Sequence, residues 1–199
     1  MLVAVSKTKP AEDIKALYDQ GQRDFGENYV QELVDKQPQL PPDIRWHYIG
    51  HLQSNKVKYI APFVHLIHGV DSFKLLKEIN KQAQKQNRSI NCLLQVYIAQ
   101  EETKFGLDET ELDALLDELN NNPLQNISIN GLMGMASFTE DLNKVRSEFK
   151  ELKRLYDKLK TKLPPAGILS MGMSSDYKIA VEEGSTLVRI GSLLFGERK

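Results

Sequence analysis

The chain has 199 residues, of which 41% are apolar and 27% are charged, and its 26 basic side chains nearly balance 27 acidic ones. This balance leaves no electrostatic footprint for nucleic acid, and no apolar run is long enough to span a bilayer, so we expect neither nucleic acid nor a membrane as a partner. The length allows one sizeable hydrophobic core, and we expect a single domain over residues 1–199.

The number of cysteines helps to predict the cellular compartment of the protein. Cys92 is the single cysteine of the sequence, which excludes an internal disulfide framework. With no secretory leader at the start of the sequence, this composition indicates a cytoplasmic protein. Cys92 lies inside an apolar, strand-like run, so we interpret it as a small core residue rather than as a nucleophile.

Eight short apolar runs, rich in Val, Ile, Leu and aromatic residues and bounded by Gly, Pro, Asn or Asp, predict strands. In chain order they are residues 2–6, 24–26, 45–50, 66–70, 92–99, 127–133, 167–171 and 186–190.

Helical periodicity fills several of the intervals between these runs. Apolar residues recur at helical spacing in residues 72–87 and most clearly in residues 140–162, with charges on the opposite face. Another helix begins at Asp108 and ends before Pro123. A short helix is predicted over residues 177–183, with Ser174 or Ser175 as its cap.

Strict alternation of strands and helices predicts parallel strands joined by crossover helices. Eight such units close most economically into an α/β fold of the single (β/α)8 TIM-barrel type, at the small end of the range for such barrels. The alternative is an open, doubly wound sheet, but the first turn reads KTKP and lacks a glycine-rich dinucleotide fingerprint.

Lys7 ends the first apolar run, at the edge where a barrel gathers its active site. A neutral lysine in a dry pocket can form an imine with an aldehyde. Barrel closure makes the last strand a neighbour of the first, so we expect Arg189 near Lys7, where its charge would depress the pKa of the lysine. The alternative is that both side chains reach solvent or pair with Glu27.

Two Gly/Ser-rich strand ends, residues 169–175 and 188–192, are candidates for a phosphate site. They follow strands seven and eight, where such barrels often bind phosphate. Small residues there let backbone N–H groups approach an anion, and Ser174 and Ser192 offer hydroxyl groups. Asn28 follows the second strand and could either cap the next helix or face the pocket. The four histidines show no metal-ligand spacing.

Six motifs, in order and spanning nearly the whole chain, resemble the pyridoxal phosphate homeostasis protein family. They are AVSKTKP (4–10), FGENYVQE (25–32), WHYIGHLQSNK (46–56), GLM (131–133), SMGMSSD (170–176) and VRIGSLLFG (188–196). The resemblance implies one barrel, similar to the N-terminal domain of alanine racemase, that carries pyridoxal 5′-phosphate (PLP).

By this resemblance Lys7 holds PLP as an internal aldimine. The other matching residues are contacts to the same cofactor: Asn28 near its ring, Arg189 at its pyridine nitrogen, and Ser174, Gly191 and Ser192 at its phosphate. The family often has threonine where Ser192 stands. Members usually carry roughly another helix before the first strand, where this chain begins, and we expect that departure to affect stability more than the chemistry of the lysine.

The implied function is that of a PLP carrier, buffer and regulator with little or no catalysis. Arginine at the ring nitrogen weakens the ring as an electron sink. Racemases of this fold add a second acid/base group from a further domain, for which we expect no room in this chain. The expected partners are PLP and PLP-dependent recipient enzymes, and the expected state is a monomer.

Three other functions remain as alternatives. The first is a PLP-dependent amino-acid racemase. The second is a Schiff-base aldolase or a phosphate-sugar isomerase on the same barrel, which would turn over substrate without a bound chromophore. The third is a pure interaction module, for which Lys7 would be dispensable.

Overall fold

The computed structural model describes residues 1–99, 105–163 and 166–196. Its strands are β1 (Leu2–Val5), β2 (Asp24–Glu27), β3 (Arg45–Tyr48), β4 (Leu66–Val70), β5 (Ile90–Gln95), β6 (Ile127–Met133), β7 (Ile168–Ser170) and β8 (Val188–Ile190). Its helices are α1 (Ala11–Asp19), α2 (Val30–Lys36), α3 (Val57–Ile60), α4 (Phe73–Lys85), α5 (Glu109–Asn121), α6 (Leu142–Lys162), α7 (Tyr177–Glu182) and α8 (Ser192–Phe195).

The strands form a closed parallel barrel. They lie in the order β7-β6-β5-β4-β3-β2-β1-β8, so β1 pairs with both β2 and β8. The remaining gap, between β7 and β8, is bridged at Ser170 and Leu187, and the Arg189 N–H donates to Gly172 O over 2.9 Å. The predicted (β/α)8 barrel is therefore confirmed, and the open doubly wound sheet is wrong, because the last strand returns to the first.

Two apolar layers result from the alternation of side chains along each strand. The barrel interior holds a small cluster of buried residues, four of them on strands and the last just before β8: Val3, Leu66, Leu93, Met133 and Leu187. The larger core lies outside the barrel, between the strands and the helices, and includes Phe25, Ile67 and Phe149. The interior cluster is small because polar and charged side chains share the same space.

Helix boundaries follow the capping chemistry that the sequence carries. Ser72 caps α4 by accepting a hydrogen bond from the N–H of Leu75, and Asp108 forms a capping box with Glu111 at α5. The helices α4 and α6 lie within two residues of their predicted bounds. None of the helices in the described ranges combines the length and apolar character that a bilayer crossing requires.

Several predicted boundaries are wrong; for example, β3 ends at Tyr48 rather than at residue 50, and β8 begins at Val188 rather than at residue 186. β5 is Ile90–Gln95, whereas residues 92–99 were expected. The apolar run continues past Gln95 because Val96 and Ala99 are buried in packing, although Val96 makes only an isolated bridge, to Leu107. At α7 the cap position is occupied by Asp176, not by Ser174 or Ser175.

Candidate functional site

A cavity of about 510 Å³ lies at the carboxyl ends of the strands, which is the active-site face of this fold. All six residues that the sequence analysis selected line this cavity: Lys7, Asn28, Ser174, Arg189, Gly191 and Ser192. Apolar side chains complete the wall, among them Val5, Ile49 and Met135. Residues up to 185 positions apart in the chain therefore meet in one place, because barrel closure places β1 beside β8.

Lys7 follows β1 in a tight turn whose shape is fixed by polar contacts. The Lys9 N–H donates to Ser6 O over 3.1 Å, and Thr8 adopts a positive φ of 65°. A β-branched residue rarely adopts this conformation. The Thr8 N–H donates to the Glu32 carboxylate over 2.6 Å, which compensates for the strain and anchors the turn to α2.

A buried ionic cluster lies directly behind this turn. The Lys36 ammonium donates to Glu27 Oε1 and to Ser6 O, each over 2.8 Å, and the Ser6 hydroxyl donates to Glu27 Oε1 over 2.7 Å. Burial raises the pKa of Glu27 to about 7 against the lowering effect of Lys36 and Ser6. Glu27 therefore pairs with Lys36 on the outer face of the barrel, and the alternative in which Arg189 pairs with Glu27 is wrong, because the Arg189 guanidinium donates to Ser170 and Gly134 instead.

Arg189 lies deeper in the barrel than Lys7. It is registered against Val3 on β1 and is only 4% exposed, so it does not reach solvent. Its guanidinium donates to the carbonyl and hydroxyl oxygens of Ser170, over 2.9 and 2.6 Å, and to Gly134 O over 3.0 Å. Burial lowers the pKa of Arg189 to about 10, which leaves the group charged at neutral pH. All three acceptors are neutral oxygens.

The two Gly/Ser-rich loops contact each other at the closure of the barrel. The Gly191 N–H donates to the Ser174 hydroxyl oxygen over 3.2 Å, which links the loop after β7 to the loop after β8. The Met173 N–H donates to the Asp176 carboxylate over 2.6 Å, which fixes the turn before α7. Hydroxyl groups and backbone N–H groups of this kind suit a phosphate.

Asn28 is held by its backbone rather than by a helix cap. Its carbonyl accepts a hydrogen bond from the Tyr48 hydroxyl over 3.1 Å. Gly50 packs so tightly against it that a Cβ at position 50 would lie 2.3 Å from Asn28 O. The cap position of α2 is Tyr29, so of the two predicted roles the structure favours the one facing the cavity.

Sequence reasoning missed a set of polar residues inside the barrel, below the cavity. Asp24, His47, His68 and Ser170 are buried and hydrogen-bonded to one another in series, and Ser170 contacts Arg189. A signal was present: alternation within the predicted strands places Asp24, His47 and His68 on the inward face. Their partners, however, lie on different strands.

The model of the family described as "Alanine racemase, N-terminal domain" matches residues 1–199. A protein of Aquifex aeolicus named "Pyridoxal phosphate homeostasis protein" is 44% identical over 200 residues, covering 100% of this chain and 87% of that protein.

Two solved structures of one protein superpose on nearly the whole of this chain. PipY of Synechococcus elongatus, solved without PLP, superposes with a TM-score of 0.93 at 40% identity, covering 98% of this chain and 92% of that chain. The same protein with PLP bound gives a TM-score of 0.90 at 39% identity, with the same coverage.

Alanine racemase from Bartonella henselae is a more distant neighbour. It superposes with a TM-score of 0.74 at 20% identity and covers 99% of this chain but 58% of that chain, so this likeness shows the fold alone. The family model matches the whole chain, and the PipY structures cover 98% of it. The chain therefore belongs to the alanine racemase N-terminal domain family and, within it, to the pyridoxal phosphate homeostasis proteins.

Proposed function

We propose that this protein binds PLP covalently through Lys7 and serves PLP homeostasis as a carrier, buffer and regulator rather than as an enzyme. The observation that carries the proposal is the cavity of about 510 Å³ in which a lysine, a buried arginine and two serine-containing loops converge. Relatives at about 40% identity over the full chain bear the corresponding name, and PipY was solved with PLP bound.

The lining of the cavity suits the cofactor chemically. Lys7 and Arg189 are both basic, and among the described lining residues none is acidic, so the cavity favours an anionic ligand. Ser174, Gly191 and Ser192 would hold the phosphate, while Arg189 would donate to the ring nitrogen and Asn28 would lie beside the ring. PLP supplies an aldehyde, to which the Lys7 amine adds reversibly with loss of one water molecule.

The same lining argues against efficient catalysis. Lys7 and Arg189 are the only ionisable side chains among the described residues that line the cavity, so no second acid/base group faces a bound amino acid there. An arginine donating to the ring nitrogen would also leave that nitrogen unprotonated, which makes the ring a weaker electron sink. Reversible exchange of the aldehyde requires neither feature.

Delivery of PLP would take place at the mouth of the cavity. Two large apolar side chains there, Phe138 and Leu193, are 91% and 62% exposed. We include in the proposal that residues 1–199 act as one monomeric domain and that PLP-dependent enzymes receive the cofactor at this mouth.

The test is to add PLP to the purified protein, record the visible spectrum, reduce with borohydride and map the modified lysine by mass spectrometry. We expect a yellow band and a label on Lys7, and Lys7→Ala should lose both. Lys9→Ala is the matched control, because Lys9 lies two residues away and donates to Phe195 O instead of lining the cavity. A label on another lysine would overturn the proposal, and sustained racemisation of alanine or serine that depends on Lys7 would favour the racemase alternative.

A further inference from the structure

A continuous series of hydrogen bonds runs through the barrel interior from its amino-terminal end to Arg189. Asp24 Oδ1 lies 3.0 Å from His47 Nε2, and His47 Nδ1 lies 3.0 Å from His68 Nε2. His68 Nδ1 lies 3.1 Å from the Ser170 hydroxyl oxygen, which accepts a hydrogen bond from Arg189 Nη1 over 2.6 Å. The two imidazoles and the serine are fully buried.

The two ends of the series have fixed hydrogen-bonding character. Arg189 can only donate, because a guanidinium carries no acceptor. At the other end Arg45 donates to both oxygens of Asp24, over 2.7 and 2.5 Å. Burial acts to raise the pKa of Asp24, but the hydrogen bonds from Arg45 and His47 outweigh it and hold that pKa well below its usual range. Asp24 is therefore an ionised carboxylate, which can only accept.

With both imidazoles neutral, these ends determine the position of every proton between them. Because Asp24 accepts, His47 carries a proton on Nε2, and in a neutral imidazole its Nδ1 is then an acceptor. His68 must then donate from Nε2, which leaves its Nδ1 to accept from the Ser170 hydroxyl. The Ser170 oxygen then directs a lone pair to Arg189 and can accept its hydrogen bond, which a guanidinium requires because it can only donate. Each N–H and O–H between Asp24 and Arg189 then has a partner, and all the donors point the same way.

We propose that Asp24, His47, His68 and Ser170 form a one-way hydrogen-bonded chain that orients Arg189, and that they are positioning residues for the cofactor site. The role given to Arg189 rests on the proposed function. The direction of the hydrogen bonds from Ser170 back to Asp24 rests on the structure alone. Ser170 and Gly134 occupy three of the Arg189 donor positions. The remaining N–H groups of the guanidinium are thus available to the cavity that Arg189 lines.

An added proton would break this arrangement. With one more proton in the series, His68 would donate from Nδ1 toward Ser170, and the serine would accept from His68 and Arg189 together. Burial, with His47 and Arg189 nearby, lowers the pKa of His68 well below its ordinary value, which opposes a charge on His68. Among the described residues, the titratable and charged groups around the series are Asp24 on β2, Arg45 and His47 on β3, His65 just before β4, His68 on β4, and Arg189 on β8.

The first experiment needs no cofactor. In ¹⁵N-histidine-labelled full-length protein, two-dimensional spectra that correlate ring nitrogens with ring protons report the tautomer of each imidazole. We expect His47 and His68 both to be neutral and protonated on Nε2. Assignment uses His51→Gln and His65→Gln, since His65 packs against His47 at 5.4 Å between ring centroids but is not part of the series. A His68 protonated on Nδ1, or doubly protonated, would overturn the proposal.

The second experiment adds PLP. Ser170→Ala removes one hydrogen bond to a charged group, and we expect PLP to bind about tenfold more weakly. We also expect its absorption maximum to move, because Arg189 would change its position relative to the ring. His68→Leu should move the maximum in the same direction although His68 does not line the cavity. His65→Gln is the matched control and should change neither quantity.

The outcomes separate the two proposals. If Ser170→Ala and His68→Leu leave the spectrum and the affinity of PLP as in the wild type, the chain does not position Arg189. If the wild type binds no PLP, the proposed function fails, while the tautomers in the protein without cofactor still decide the direction of the chain. A folded His68→Leu protein, verified by circular dichroism, is required; if it does not fold, Ser170→Ala and the wild-type tautomers carry the test.

Discussion

Lys36 donates a hydrogen bond to the buried carboxylate of Glu27 over 2.8 Å, on the outer face of the barrel. The same ammonium donates to Ser6 O, one residue before Lys7, and Lys36 as a whole is only 6% exposed. The pair thus ties α2 to the end of β1, at the point where the cavity begins. The second oxygen of Glu27 is buried without a hydrogen-bond partner among the described residues, so the charge of Glu27 is compensated on one side only.

Lys36→Met should destabilise the protein without cofactor by about 3 kcal/mol at neutral pH, because it leaves a buried carboxylate without its partner. Loss of the ammonium removes the group that lowers the pKa of Glu27, so this pKa should rise above about 7. The folded variant then holds a proton that the unfolded chain releases near pH 4.5. Its stability should therefore keep falling as pH rises from about 7 to about 8, where the stability of the wild type levels off because its Glu27 has a pKa of about 7. Urea unfolding of both proteins measures this difference.

Lys15→Met is the matched control, because Lys15 pairs with Asp19 on the surface at 2.5 Å. Exposed pairs of this kind contribute little, and we expect the stability of this variant to differ from that of the wild type by less than about 0.5 kcal/mol at every pH. Equal effects of the two substitutions would show that the buried pair does not hold the end of β1.

We expect Ser192 to contribute to the affinity for PLP only through its contact with the phosphate group. Ser192→Ala removes one hydroxyl donor from the loop after β8, and a hydrogen bond to a charged group is worth about 1.5 kcal/mol or more, so PLP should bind about tenfold more weakly. Pyridoxal, which has the aldehyde and ring but no phosphate, is the control ligand and should bind Ser192→Ala and the wild type alike. Titration followed by absorbance measures both. Equal weakening for the two ligands would place Ser192 away from the phosphate.

The sequence predicted which strands exist and where the lysine and the two loops meet, because strand alternation and barrel closure depend on local pattern and on one general topology. It did not predict the polar interior. His68 and Ser170 are 102 residues apart and look like ordinary strand residues until β4 and β7 face each other across the barrel. The local sequence pattern predicts which residues of a strand point inward, but it does not predict which side chain of another strand they contact. The pairing of Glu27 with Lys36 was missed for a related reason, since it depends on which face of α2 packs on β2.

Cys92 should be unreactive in the folded protein. Its side chain is fully buried on β5, and burial raises the pKa of its thiol well above the usual range, so almost no thiolate is present at neutral pH. We expect no reaction with an aromatic disulfide reagent over hours in buffer and complete reaction of one thiol per chain in guanidinium chloride. Rapid labelling in buffer would mean that β5 opens locally or that the thiol is accessible.

Gly172 lies in the loop after β7, beside the proposed phosphate site, and has a φ of +97°. An added Cβ would lie 2.6 Å from the Cβ of Ala180 and 3.1 Å from the Cα of Tyr177, so the loop must move away from α7. We expect Gly172→Ala to cost about 3 kcal/mol in stability, from backbone strain together with overpacking. PLP should also bind more weakly, because Met173 and Ser174 follow directly and line the cavity.

Gly21→Ala is the control that measures the cost of backbone strain without a steric clash of the added Cβ. Gly21 has a φ of +100° but nothing within 4 Å of an added Cβ. Its substitution should therefore cost about 1 kcal/mol, which is the strain alone, and leave PLP affinity unchanged. Urea unfolding of the two variants, with PLP titration of each, measures the difference. If Gly172→Ala were no more destabilising than Gly21→Ala, the contact between the loop and α7 would be loose, and the phosphate site would not depend on its packing.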